Sequence, residues 1–332
     1  MNEQPRDIRA SFAPIDRAKF IDPDTTAKGQ ARAIVGLHHL ETLWINTGTL
    51  CNITCKNCYI ASSPTNDDLV YFSLDNAVSF FDELIALKLE TPEIGFTGGE
   101  PFMNPQILEI LEAALNRGFK VLVLSNAMQP MQRKRIKQGL LELKANYPDK
   151  LSLRISLDHY TKALHEVERG ENTWEKAIDG LNWLTENEFS MAIAGRTCWG
   201  ELDVNERAGY AELINQHGWP IDSNNHGQLI LFPEMDEKVD VPEITTACWG
   251  ILGKQPKDVM CATSRMVVHR KGADKPTVLP CTLLPYDSTF EMGEKLADSL
   301  KINGGNFANG AVKLNHPHCA KFCVLGGGSC TG

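Results

Sequence analysis

Between Leu40 and Pro233 the chain switches repeatedly between two hydrophobic periods, and no other feature restricts its fold so strongly. Six short apolar runs have the length and composition of buried strands: "LETLWINT", "EIGFTGG", "KVLVLSNA", "KLSLRISLD", "SMAIAGRT" and "GQLILFP". Between them lie stretches with apolar residues at helical spacing. "SLDNAVSFFDELIALKL" carries Ser73 as a cap, and "NPQILEILEAALNRG" ends at Gly118. "MQRKRIKQGLLELKANY", "TWEKAIDGLNWLTENE" and "VNERAGYAELINQHG" follow the same rule. Strand–helix alternation of this kind leads to a parallel sheet with helices on its outside. Six repeats are too few for an eight-fold barrel, so the pattern predicts α/β architecture as a partial (β/α)6 barrel or an open sheet. In both, chemistry gathers at the carboxyl ends of the strands.

The flanks read differently. Residues 1–38 are polar and irregular, an extension outside the barrel at 39–238. From 239 to 332 Pro, Gly and Cys rise and long helical periodicity fades, which predicts a small Cys-rich C-terminal domain held by metal more than by a large core. Within it "MVVHRKGADKPTVLPC" reads as a hairpin turning at Gly272 and Pro276. A formal net charge of -9 argues against nucleic-acid binding. No apolar run approaches the ~18 residues of a membrane span, and the N-terminus lacks a secretory core. The expected location is cytoplasmic. In a reducing compartment ten cysteines point to metal or chemistry, not to disulfides.

Three of them, Cys51, Cys55 and Cys58, fall within "TLCNITCKNCY", in the loop after the first strand. Three thiols are one short of a closed four-ligand site. On spacing alone a zinc site completed by a distant residue, a cluster completed by a distant cysteine and a cluster with an open iron all stay possible. "GFTGGEP" ends the second strand, and Gly98 and Gly99 there would let a ligand approach the backbone. Glu100 could add charge pairing to an ammonium. Read alone, the same stretch is a turn with a capping glutamate.

Together the two motifs resemble the radical S-adenosylmethionine (radical SAM) superfamily, over about residues 40–233. The resemblance implies a partial TIM-like barrel and a [4Fe–4S] cluster on Cys51, Cys55 and Cys58. S-adenosylmethionine would chelate the fourth iron, with Gly98, Gly99, Glu100 and Pro101 at its methionine ammonium. Asn57 stands where the family more often has an aromatic residue near the adenine, and Tyr59 is the substitute. Ser125 or Asn126 in "LSNA", and Ser156 and Asp158 in "RISLD", fall at strand ends where the family contacts its cofactor. Arg169 in "HEVERGENTW" matches an arginine that pairs with the cofactor carboxylate, a role that suits a planar guanidinium. Arg196 is a further candidate, and Cys198 is either a buried residue or a thiol at the mouth.

The C-terminal cysteines resemble the SPASM or shorter twitch extension of that superfamily. One auxiliary [4Fe–4S] cluster is expected on Cys261 and Cys281 with Cys319 and Cys323, Cys330 or Cys248 competing; structural zinc is the alternative. The implied reaction is reductive cleavage of S-adenosylmethionine to a 5′-deoxyadenosyl radical that removes hydrogen from an unactivated carbon. An electron donor such as flavodoxin or ferredoxin would feed it. Because the first 38 residues are shorter than a winged-helix peptide-binding module, the leading expectation is oxidation or rearrangement of a small metabolite. The alternative is a peptide- or protein-modifying maturase, with leader recognition left to a separate partner, and the second alternative is a noncatalytic iron–sulfur electron carrier.

Overall fold

The six apolar runs form strands β1 (Thr42–Asn46), β2 (Glu93–Thr97), β3 (Lys120–Ser125), β4 (Leu151–Ser156), β5 (Ser190–Arg196) and β6 (Leu229–Phe232). These belong to a computed structural model that describes residues 13–233 and 236–327. All six strands are parallel and pair in chain order. Every residue of β1 is buried, as a strand covered on both faces requires. Gly95 on β2 lies against the Trp44 ring, where a Cβ would come within 2.5 Å.

The crossovers are helices α1 (Leu74–Ala86), α2 (Ile107–Asn116), α3 (Lys134–Asn146), α4 (Lys162–Arg169), α5 (Trp174–Glu186) and α6 (Asp203–His217). On α1 the Ser73 hydroxyl accepts from the Asn76 N–H at 3.2 Å, and Ala77, Phe80, Phe81 and Leu84 form the buried stripe. The helix expected over "MQRKRIKQGLLELKANY" divides into a short turn at Gln129–Gln132 and α3, because Arg133 is extended at ψ 138. Helix α4 was not anticipated: its few apolar residues, Ala163, Leu164 and Val167, are exposed or half-buried, and what it buries is His165 and Glu168.

The expected C-terminal hairpin is present as β7 (Ser264–Val268) antiparallel to β8 (Thr277–Leu279). Strand β7 also lies parallel to β1, from Thr42↔Ser264 to Ile45↔Val267. The result is one eight-stranded sheet in the order β6-β5-β4-β3-β2-β1-β7-β8. The chain before the barrel joins the other end of the molecule: Ile34–Val35 pairs antiparallel with Ala311–Lys313. Among the described residues no helix is long and apolar enough to cross a membrane.

Candidate functional site

The carboxyl ends of β2 to β6 open onto one cavity. The thiols of Cys51, Cys55 and Cys58 border it, with Tyr59 from the same loop. Opposite stand Gly98 and Gly99 beyond β2, Ser125 and Asn126 at β3, Ser156 at β4, Asp158 and Arg169 after β4, and Arg196 at β5. Sequence candidates from six separate segments thus share one lining. Cys198 is buried at 1% exposure, outside it.

Two of the expected contacts lie behind the lining. Pro101 is buried as the first residue of a 3-10 turn, Pro101–Met103. Glu100, 1% exposed, accepts hydrogen bonds from the Phe102 N–H at 3.2 Å, the Ser125 hydroxyl at 3.0 Å and the Asn126 N–H at 2.9 Å. It therefore ties the end of β2 to the end of β3. Burial pushes its pKa up to about 7 against these donors. The glycines also serve the cysteine loop: Gly99 donates its N–H to the Gly48 carbonyl at 2.8 Å, and Glu100 donates to Leu50 at 3.1 Å. A Cβ on Gly99 would stand 2.2 Å from the Leu50 oxygen. With those N–H groups committed, the strand end has carbonyl oxygens to offer, which suit a donor such as an ammonium.

The loop is held from its other side by a contact that the sequence alone did not reveal. Glu168 on α4, 1% exposed, accepts from the Asn57 N–H at 2.9 Å and from Asn57 Nδ2 at 3.0 Å. Its own carbonyl accepts from the Lys56 N–H at 2.7 Å. Asn57, the residue out of pattern in the motif, is thus a clamp on the backbone between Cys55 and Cys58. The neighbouring Arg169 pairs with Asp158 at 2.7 Å, and Arg196 reaches the same carboxylate at 3.5 Å. Burial alone would raise the Asp158 carboxyl, yet the two guanidinium groups hold it below the usual carboxylate range. Burial pushes the Cys51 thiol up to about 12 and the Cys55 thiol to about 11. Such thiols stay protonated when free, and coordination to a cation is what displaces the proton.

A second set of thiols borders a small apolar cavity: Cys261, Cys281, Cys319 and Cys323, among Val259, Leu284, Val312 and Leu314. Leu283 lines both cavities. Cys248 is not part of this lining; its sulfur accepts from the Thr245 N–H and contacts the Thr245 hydroxyl, both at 3.4 Å. Cys330 lies outside the described residues. Among those residues no three His, Cys, Asp or Glu side chains are drawn together as they would be round a single metal ion; both thiol sets instead surround open volume.

Residues 45–197 match the radical SAM superfamily, a span that contains all three loop cysteines and Gly98–Pro101. That span, just under half of the chain, is a radical SAM domain. A radical SAM protein carries a [4Fe–4S] cluster and binds S-adenosylmethionine, and the cavity with its three thiols has the soft donor set that such a cluster requires. The antilisterial bacteriocin subtilosin biosynthesis protein AlbA of Bacillus subtilis is 28% identical over 192 residues, 56% of this chain and 40% of AlbA. An AdoMet-dependent heme synthase of Nitratidesulfovibrio vulgaris is 27% identical over 146 residues, 43% of this chain and 36% of the synthase. The match thus spans less than half the length of either relative. Among solved structures, SuiB of Streptococcus suis bound to S-adenosylmethionine has the same fold, with a TM-score of 0.56 at 11% identity over 77% of this chain and 63% of SuiB. SuiB has also been solved bound to its precursor peptide SuiA, with a TM-score of 0.55.

Proposed function

We propose that this chain is a radical SAM enzyme that modifies a peptide or protein substrate. The supporting observation is the single cavity at the strand ends, bordered by Cys51, Cys55 and Cys58 on one side and by Gly98, Gly99 and Arg169 on the other. When bound, the cluster supplies the electron that cleaves S-adenosylmethionine to a 5′-deoxyadenosyl radical able to take hydrogen from an unreactive carbon. The protein's own part is positioning. Carbonyls at the end of β2 would receive the methionine ammonium, and Arg169 would pair with the carboxylate. Because Arg169 already pairs with Asp158, that carboxylate would share the guanidinium with Asp158. Ser156, Asn126 and Tyr59 border the cavity, where the first two would meet hydroxyl groups of the nucleoside and the Tyr59 ring would meet the adenine.

The small-metabolite reading gives way to the peptide reading. AlbA is named for bacteriocin biosynthesis, and SuiB binds a precursor peptide. The heme synthase relationship keeps a small metabolite as the second reading. The four thiols at Cys261, Cys281, Cys319 and Cys323 would hold one auxiliary [4Fe–4S] cluster of the SPASM or twitch kind.

Anaerobically reduced protein incubated with S-adenosylmethionine tests the reading. The expected result is 5′-deoxyadenosine, absent from a variant with Cys51, Cys55 and Cys58 all changed to alanine. Equal traces from both would leave an iron–sulfur carrier as the better description. For the substrate, a mass change in a short peptide encoded beside this chain's gene, lost in the triple variant, supports maturase activity; turnover of metabolites alone favours the second reading.

A further inference from the structure

Arg265 on β7 is 0% exposed, and among the described residues no carboxylate forms an ion pair with it. The guanidinium donates to three carbonyls: Cys261 at 2.7 Å, Ser264 at 2.7 Å and Gly310 at 3.5 Å. Its Nε–H has no hydrogen-bond partner among the described residues. Another buried arginine, Arg32, shows the ordinary arrangement, with the Glu243 carboxylate at 2.8 Å. A buried cation held by dipoles alone is costly, and native proteins supply a counter-charge. Burial lowers the Arg265 pKa to about 10, which leaves it cationic at neutral pH; the groups that act the other way are the Cys261 and Cys281 thiols. Those two cysteines border the four-thiol cavity.

We propose that Arg265 is the built-in counter-charge of an anionic cluster held by Cys261, Cys281, Cys319 and Cys323, and that it sets the reduction potential of that cluster. This rests on the auxiliary-cluster reading above. Four thiolates make such a cluster anionic, and adding one electron makes it more so. A fixed cation one residue shell away favours the more negative state and raises the potential, because net charge and hydrogen bonding are what the protein uses to tune these centres. Burial strengthens the effect, since little water screens the pair. The carbonyl of Cys261 gives the guanidinium a fixed position relative to one ligand.

The test uses full-length protein in which Cys51, Cys55 and Cys58 are alanine, so that any remaining iron belongs to the second site. Iron and sulfide per chain are measured, followed by an anaerobic redox titration monitored by electron paramagnetic resonance. Arg265→Lys keeps the charge and Arg265→Gln removes it. Arg265→Gln is expected to lower the reduction equilibrium constant at least tenfold, which is about 59 mV for one electron; Arg265→Lys should stay near the parent. Loss of iron from the glutamine variant with retention in the lysine variant supports the proposal equally. Unchanged potential in an iron-loaded glutamine variant overturns it while leaving the auxiliary cluster standing. Loss of iron from both variants alike also overturns it, since charge is then not the property that matters. Absence of iron from the triple-alanine parent overturns the auxiliary-cluster reading itself, and this proposal with it.

Discussion

Gly99→Ala places one methyl group where the strand end meets the cysteine loop. Its Cβ would lie 2.2 Å from the Leu50 carbonyl oxygen and 2.6 Å from the carbonyl carbon, where ordinary contact begins at 3.4 Å. Both atoms are backbone, so no rotamer change relieves the overlap. The loop must withdraw by roughly an ångström in a close-packed interior. That stretches the hydrogen bonds from Gly99 to Gly48 and from Glu100 to Leu50, now 2.8 and 3.1 Å. Overpacking of this kind costs about 1–3 kcal/mol, and two weakened buried hydrogen bonds add about 1 kcal/mol each, giving a loss of about 3–5 kcal/mol. Urea unfolding of the metal-free protein measures it, and iron per chain after anaerobic reconstitution reports whether Cys51 still reaches its position. Gly36→Ala is the control: no atom lies within 4 Å of its Cβ, so it should stay within about 0.5 kcal/mol of the parent. If Gly99→Ala keeps both its midpoint and its iron, the loop is not seated on this strand end, and the account of the glycine motif given above is wrong.

Asn57→Ala and Glu168→Gln should each destabilise the loop by about 1–3 kcal/mol, and their double variant should cost less than the sum, because both break one clamp; the rate of iron loss to a chelator should rise together with the fall in urea midpoint. Glu100 carries a pKa raised to about 7 in the folded chain from an ordinary 4.5, so the native state holds the proton more tightly. The stability it contributes is full below about pH 4.5 and is lost as pH rises through 7, a change on the order of 3 kcal/mol. Glu100→Gln, followed by urea midpoints across that interval, should remove this part of the slope; a slope equal to the parent's would show that Glu100 does not titrate there. Cys281→Ala should lower iron content, whereas Cys248→Ala should leave it unchanged, because the Cys248 sulfur already faces Thr245. The reverse ranking would relocate the second centre.

What the sequence made readable was whatever depends on local periodicity. Strands β1 to β6 announce themselves because each is an apolar run of fitting length, and α1 because Ser73 and its apolar stripe agree. Helix α4 stayed hidden because its buried face is polar: Glu168 faces the cysteine loop and Arg169 faces Asp158, while its apolar residues are exposed or half-buried. The role of Asn57 was invisible for the same reason, since its partner lies on another element. Gly98 and Gly99 were legible as glycines that something must approach; that the loop backbone approaches Gly99 as closely as any ligand could is a tertiary fact. The hairpin of β7 and β8 could be read from its turn residues, but not the pairing of β7 with β1, which no local signal encodes. Arg265 in isolation reads as an ordinary charged residue on a strand.

The pairing of Thr42 with Ser264 has a consequence for how the molecule is made. A ribosome delivers β1 and the cysteine loop early, while the strand that covers the β1 edge emerges only after the whole barrel. Until then the first strand has one open side, and contacts this distant in sequence form slowly. Ile34–Val35 must wait longer still for Ala311–Lys313. The nascent barrel therefore stays unsealed along its first strand until Ser264–Val268 has been made, some two hundred residues after the cysteine loop.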